Sequence, residues 1–287
     1  MKPARFSYEA PDTLAAALAV LAERRDDAKV IAGGQSLAPM MNMRLAQPGH
    51  LVDINRIIEL GDVRLEPKRL AVGALVRHAD LARNPIVRLH APMLAHAAGT
   101  IGHYAIRQRG TLGGSLAHAD PAAQLPLMAV VLDAEIEIAS ATGRRVVAAT
   151  DFFHSIFTTA LRADELLVAM RIPLPAAQGW GFRLFTRRAG DFALVAVAVA
   201  LRMSPQGAID HLRVAAAGIA STAVRLEAAA PLDDVDPADP DWIVRTADAV
   251  AGAADIEENE RISAEYRREL LDVLLQGALA DARRRAA

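Results

Sequence analysis

Leu14, Ala17, Leu18 and Leu21 recur at the i, i+3, i+4, i+7 spacing of one buried helix face, and Pro11-Asp12 open that helix. Ahead of it, Arg5 to Tyr8 reads as a short strand. Behind it, Lys29 to Ala32 is a strand that runs into a glycine turn at Gly33-Gly34. Met40 to Leu45 is a short helical piece, with Pro39 tolerated in its first turn. Pro48-Gly49 breaks it, and His50 to Ile54 is a third strand. The opening pattern is strand, helix, strand, glycine turn, short helix, strand.

A hairpin follows: Val63 to Glu66, a Pro67-Lys68 turn, and Arg69 to Val72. Helices are expected at His78 to Arg83 and Ile86 to Ala98. Gly99 and Gly102 then lead to a second glycine turn, Gly110 to Ser115. Pro121 starts an apolar helix through Leu132. Glu135 to Ala139 and Arg145 to Ala149 alternate around Thr142-Gly143, a hairpin signal. Glu165 to Ile172 is a strand stopped by Pro173 and Pro175, and residues 173–179 read as a linker. Beyond it come three long strands (Trp180 to Arg187, Leu194 to Met203, Ile209 to Ala217). Three helices follow, near Thr222 to Ala229, Trp242 to Ala251 and Ala264 to Arg283. Strands followed by helices suggest a separate α+β domain.

The length of 287 residues suits about two domains. At 53% hydrophobic, much of it alanine, the chain can build a substantial core. The net charge of −2 with scattered basic residues argues against nucleic acid as the main partner. Arg283-Arg284-Arg285 reads as a solvated helix end. The absence of cysteine excludes disulfides and any thiolate-held iron–sulfur cluster or zinc within this chain. No apolar run approaches the ~18 residues of a membrane span, and residues 1–8 lack a signal-peptide core. The expectation is a soluble, cytoplasmic protein.

The two glycine turns are the candidate chemistry. A pyrophosphate can be held by converging backbone N–H groups without lysine or arginine, and glycine lets the backbone approach it. Gly33-Gly34-Gln35-Ser36 offers consecutive amides and a hydroxyl; Thr111, Gly113, Gly114 and Ser115 offer the same again. Neither turn is Gly-x-Gly-x-x-Gly or a Walker loop, so each alone reads equally as a tight turn. His103, His118 and Asp120 do not make a convincing metal set. Arg107 and Arg109 either anchor phosphate, fix their loop or meet a partner. Met40, Met41 and Met43 read as packing under the first turn.

The flanks carry more. Residues 32–48, Ala-Gly-Gly-Gln-Ser-Leu-Ala-Pro-Met-Met-Asn-Met-Arg-Leu-Ala-Gln-Pro, are followed by Leu51-Val52-Asp53-Ile54-Asn55. Residues 106–121 read Ile-Arg-Gln-Arg-Gly-Thr-Leu-Gly-Gly-Ser-Leu-Ala-His-Ala-Asp-Pro. Both resemble the FAD-binding medium subunits of the molybdenum hydroxylases, the carbon monoxide dehydrogenase / xanthine dehydrogenase family. Phe6 to Pro11, Thr159 to Leu167 and Ile172-Pro173 extend the resemblance. So do Arg187-Arg188-Ala189-Gly190-Asp191-Phe192-Ala193 and Ala264 to Arg268, so that it covers nearly the whole chain.

The resemblance implies an α+β chain. Residues 1–176 would form a two-subdomain FAD-binding domain of the vanillyl-alcohol-oxidase-like (PCMH) type, divided at about 1–56 and 57–176. Residues 177–287 would form a smaller α+β C-terminal domain with a three-stranded antiparallel sheet and helices. It places Ala32, Gly33, Gly34, Gln35, Ser36 and Leu37 on one side of the FAD pyrophosphate, and Thr111, Gly113, Gly114 and Ser115 on the other. Asp120 matches a position near the ribose and adenine, though an Asp-Pro helix start explains it equally. Leu161 matches a leucine near the flavin and would otherwise be a core leucine. Arg187 falls near a basic position facing the isoalloxazine. Phe192 stands where some relatives have tyrosine; it lacks the hydroxyl, and a plain core aromatic is the alternative.

The function implied is an electron-transfer subunit. Its partners would be a large molybdenum-cofactor subunit and a small 2Fe-2S subunit, in a dimer of heterotrimers. Electrons would pass through FAD to an external acceptor. Rivals are a stand-alone FAD oxidoreductase of the same fold, which needs a base that the sequence does not display, and a flavin-free scaffold subunit. Nothing in the chain specifies the substrate of the molybdenum subunit.

Overall fold

A computed structural model describes residues 2–175, 178–204, 208–227, 239, 241–258 and 262–286. The chain opens with β1 (Ser7–Glu9), α1 (Leu14–Arg24), β2 (Ala28–Ile31), α2 (Leu37–Asn42) and β3 (His50–Asp53). Thr13 caps α1 by accepting from the Ala16 amide, and the buried face of α1 is Leu14, Ala17, Leu18 and Leu21, the set predicted by spacing. Two strands pair in parallel with β3, in the order β1-β3-β2. The loop after β2 and the residues after β3 therefore leave the sheet at the same end.

Next come β4 (Val63–Glu66), β5 (Arg69–Gly73), α3 (His78–Arg83), α4 (Pro85–His90), α5 (Pro92–Gly99), α6 (Tyr104–Arg109), α7 (Leu112–His118) and α8 (Gln124–Val131). After these are β6 (Glu135–Ser140), β7 (Gly143–Ala148), α9 (Ala149–Phe152), β8 (Phe153–Ser155), β9 (Thr158–Thr159) and β10 (Leu166–Pro173). An antiparallel sheet forms in the order β4-β5-β10-β6-β7. The helix expected over 86–98 is two helices. Pro92 cannot donate an N–H and disfavours helical backbone at Ala91, so α4 ends and α5 restarts with Pro92 in its first turn. The apolar helix expected from Pro121 begins only at Gln124, after a turn closed by the Ala123 amide on the Asp120 carbonyl.

The last part comprises β11 (Gly179–Phe185), β12 (Val195–Met203), β13 (Ile209–Ala217), β14 (Val224–Leu226), α10 (Trp242–Ala253) and α11 (Ala264–Ala286). Its antiparallel sheet is β11-β12-β13-β14, four strands rather than the expected three. The helix expected at 222–229 is contradicted over Val224–Leu226, which is strand β14; residues 228 and 229 lie outside the described residues. The β-branched Val224 pairs with Ala216 on β13, and that pairing outweighs the helix propensity suggested by the alanines beyond.

β12 is buried on both faces, which explains its unbroken apolar run. Ala196, Ala198 and Ala200 join the core formed by α8 and the five-stranded sheet. Val195, Val197, Val199 and Leu201 face α10 and α11. All eight residues of α8 are buried, so it is the element shared by the two larger sheets. Across the same junction Asp133 accepts from Arg213 on β13 and from Arg225 on β14, and Arg225 also donates to the Val130 carbonyl.

One ion pair, a buried carboxylate with a half-buried arginine, ties a candidate segment to the frame. Arg145 donates from Nε and Nη2 to Glu165, each at 2.7 Å, and from Nη2 to the Ala160 carbonyl at 2.6 Å; the Arg162 amide adds a bond to Glu165 at 2.9 Å. The Arg145 hydrogen bonds hold the Glu165 carboxyl below the usual glutamate range. A carboxyl with a depressed folded pKa stabilises the fold above its unfolded value of about 4.3, and that contribution disappears as pH falls through the lower folded value. Glu165→Gln is therefore expected to lower stability at pH 7 by on the order of 2 kcal/mol. The gap from the wild type should narrow in urea melts below about pH 4; an equal gap at every pH would reject this role.

Candidate functional site

The candidate site begins at the carboxyl end of the parallel sheet, where ligands of such sheets commonly sit. From β2 the chain passes through Ala32, Gly33, Gly34, Gln35 and Ser36 into α2. Gly34 has φ +69°, a left-handed conformation that favours glycine. Its carbonyl accepts from the Ala38 amide at 3.1 Å, and the Ser36 carbonyl accepts from the Met40 amide at 3.1 Å. Gln35 folds its side-chain amide back onto the Gly33 carbonyl at 2.8 Å. Among the described residues, the amides of Gly33, Gly34, Gln35, Ser36 and Leu37 donate to no acceptor of the chain. This is a run of successive backbone donors, the arrangement that receives an anion.

The second predicted turn is the junction of two helices. α6 ends at Arg109-Gly110, and Thr111 starts α7 by accepting from the Gly114 amide at 3.0 Å. Most of its amides are already engaged: Leu112 donates to the Val76 carbonyl (2.9 Å), Gly113 to the Ala74 carbonyl (2.8 Å) and Ser115 to the Thr111 carbonyl (3.1 Å), while the Thr111 amide donates to no acceptor among the described residues. The symmetry expected of the two turns is therefore absent. The first holds free amides; the second presents the exposed Gly114 and the Ser115 hydroxyl on a fixed frame.

The frame comes from Arg77 and His78, at the start of α3. The His78 amide donates to the Gly110 carbonyl at 3.0 Å. Its buried ring places Nε2 3.0 Å from the Thr111 carbonyl and 3.1 Å from Ser115 Oγ. Burial pushes the His78 pKa down to about 4, so the ring is neutral at ordinary pH and Nε2–H can donate to Thr111. Arg77 donates to the Arg109 carbonyl and, at 2.6 Å, to Asn55 Oδ1. Asn55 in turn donates to the Ala32 carbonyl at 2.8 Å.

The two loops meet directly. A β-carbon on Gly33 would lie 2.3 Å from the Arg109 carbonyl oxygen and 2.9 Å from Gly110 Cα. Glycine is required at 33 first by this backbone-to-backbone contact, and not solely by approach to a ligand.

The remaining predicted residues have the following surroundings. Asp120 accepts from the Ala122 amide at 2.8 Å, closing the turn before α8; burial raises its carboxyl, opposed by that hydrogen bond and by His118. Leu161 is half-buried against the main core, directly after Ala160, which Arg145 holds. Arg187 is exposed, and Phe192 is 60% exposed, so Phe192 is not a core aromatic. Their loop reaches the site through Gly190, where a β-carbon would lie 2.5 Å from His103, the residue before α6. Arg107 donates to the carbonyls of Ile101 and Gly102, which fixes its own loop. Of the three methionines, Met41 is buried but Met43 is 49% exposed, so packing under the turn holds for Met41 and not for Met43.

Asn55, Arg77 and His78 went unassigned in the sequence. Asn55 follows the central strand of a parallel sheet, a position that marks it. Arg77 and His78 lie at an ordinary strand-to-helix passage with no spacing signal.

The chain matches the family described as the FAD binding domain in molybdopterin dehydrogenase over residues 4–175, and the CO dehydrogenase flavoprotein C-terminal domain over residues 180–282. It is 38% identical over 287 residues to the 6-hydroxypseudooxynicotine dehydrogenase complex subunit alpha of Paenarthrobacter nicotinovorans, covering 100% of this chain and 97% of that one. It is 40% identical over 228 residues to a carbon monoxide dehydrogenase medium chain of Hydrogenophaga pseudoflava, covering 79% of each. Among solved structures, a chain of carbon monoxide dehydrogenase from Hydrogenophaga pseudoflava, lacking the Mo-pyranopterin moiety of the molybdenum cofactor, superposes with a TM-score of 0.94. That match has 38% identity and covers 100% of both chains.

The glycine contacts make a paired prediction. Gly33→Ala sets a methyl against backbone that cannot rotate away, and is expected to lower the thermal midpoint by several degrees. Gly114→Ala meets only Thr111 Oγ1, at 2.8 Å, and lies within a helix. It would disturb only the Thr111 cap and should lower the melting midpoint less than Gly33→Ala by scanning calorimetry. Equal destabilisation by the two would show that the loops do not rest on the Gly33 contact.

Proposed function

The chain belongs to the FAD-binding medium subunits of the molybdenum hydroxylases, and from that membership we propose how its own residues serve electron transfer. It is an oxidoreductase subunit whose cofactor is FAD; molybdenum and iron–sulfur centres belong to partner subunits. Bound FAD would supply the redox chemistry, while the protein binds, orients and tunes it.

The observation that carries the residue-level reading is the run of free amides from Gly33 to Leu37 beside a second loop held in backbone contact with it. A pyrophosphate fits this donor set, because successive N–H groups without internal partners accept an anion without a basic side chain. Ala32, Gly33, Gly34, Gln35, Ser36 and Leu37 would hold it from one side. Thr111, Gly113, Gly114 and Ser115 would bound it from the other, through shape, the Ser115 hydroxyl and the single unengaged amide of Thr111. Asp120 would face the ribose end. Leu161, Arg187 and Phe192 would lie toward the flavin ring, with Phe192 contributing an apolar face and no hydrogen bond.

The division into a flavin domain over 1–176, with subdomains 1–56 and 57–176, and a C-terminal domain over 177–287 belongs to the same proposal. The partners are a large molybdenum subunit and a small iron–sulfur subunit, arranged as a dimer of heterotrimers, with an external acceptor taking the electrons. A cysteine-free chain fits that division, since the clusters need thiolates from another subunit. No helix among the described residues is long and apolar enough to cross a membrane; a cytoplasmic location is the reading consistent with this. The matched names include dehydrogenases of 6-hydroxypseudooxynicotine and of carbon monoxide, so the substrate is set by the partner subunit and not by this chain.

Co-expressed with its partners, the chain is expected to carry an equimolar amount of FAD, visible as flavin absorbance. That flavin should be reduced by the molybdenum subunit's substrate only when the iron–sulfur subunit is present. A colourless complex after reconstitution with FAD would overturn the cofactor reading, and substrate turnover by this chain alone would favour a stand-alone oxidoreductase.

A further inference from the structure

We propose that Arg77 is a positioning residue that locks the two loops of the cofactor site into one register, with Asn55 as its intermediary. This rests on the flavin reading above and adds to it residues outside both glycine motifs.

The geometry is a relay between two carbonyls. One guanidinium nitrogen of Arg77 donates to the Arg109 carbonyl, the group that packs on Gly33. The other donates to Asn55 Oδ1 at 2.6 Å. Asn55 Nδ2 donates to the Ala32 carbonyl at 2.8 Å and to Asp53 Oδ1 at 2.6 Å, and its backbone amide also donates to Asp53 Oδ1 at 2.9 Å. Tyr8 donates to the second Asp53 oxygen at 2.6 Å. The relay thus runs from the second loop, through Arg77 and Asn55, to the residue that opens the first loop.

Three properties suit Arg77 to this role. The guanidinium is planar and forked, so one side chain can hold two acceptors at a fixed angle. Arg77 also pairs through its own backbone with Thr111, so its position is set by the loop that it holds. Burial lowers its pKa, with Arg109 adding to the effect, yet arginine keeps its charge and both bonds stay charge-assisted. His78, the next residue, grips the same loop through Gly110 and Thr111 but reaches nothing in the first loop. Arg77 therefore joins the loops, while His78 shapes only one.

The test measures the FAD dissociation constant of the full chain by flavin fluorescence, with the thermal midpoint of each flavin-free variant recorded alongside. Arg77→Met and the surface change Asn55→Ala are each expected to weaken FAD about tenfold. The double variant should be no weaker than Arg77→Met, because both changes cut the same relay. Arg77→Lys keeps the charge but not the fork and should remain weakened. Arg64→Met, a change on β4 away from both loops, is the control. Additive losses would overturn the relay. So would unchanged affinity, recovery by lysine, or losses that merely follow the flavin-free midpoints. Failure of the wild type to bind FAD would overturn the flavin reading instead, which separates the two results.

Discussion

At Gly33 a β-carbon would stand 2.3 Å from a carbonyl oxygen of another loop, and this steric limit sets how closely the two halves of the site can approach. The parallel sheet delivers Gly33, and the helices beyond the antiparallel sheet deliver Arg109. Neither loop alone encloses anything. Backbone contact at glycine brings them together, and polar bonds from Arg77 and Asn55 then fix how they are aligned.

The second sheet system contributes through its packing. β12 presents alanines to α8 and valines to α10 and α11, so small side chains on one face admit a close helix and larger ones fill the other. Asp133 between Arg213 and Arg225 reinforces that seating, and on the same part of the chain the loop carrying Arg187 and Phe192 lies against His103 through Gly190.

Much of this was legible in the sequence, and what escaped has physical reasons. The buried face of α1 and the β4-β5 hairpin follow from local periodicity and turn chemistry. The four-stranded sheet was undercounted because β14 is three residues long and holds its place only by pairing with β13, a contact remote in sequence. Helices α6 and α7 were hidden by the glycines between and within them, which read as turn. At the site, the glycine motifs located both loops. They could not show that two amides of the second loop are engaged by Ala74 and Val76, since those partners lie on an earlier segment. Arg77 escaped for a related reason: its partners, the Arg109 carbonyl and the Asn55 side chain, lie on segments remote in sequence.

The unequal hydrogen bonding of the two loops also sets what each would offer a ligand. The loop at Thr111 satisfies most of its donors from its own chain, at Leu112, Gly113, Gly114 and Ser115. The loop at Gly33 leaves five successive amides, Gly33 to Leu37, without an acceptor among the described residues, and backbone donors sealed away without partners are costly. A ligand seated between the loops would therefore meet mostly unpaired donors on the first and mostly paired ones on the second.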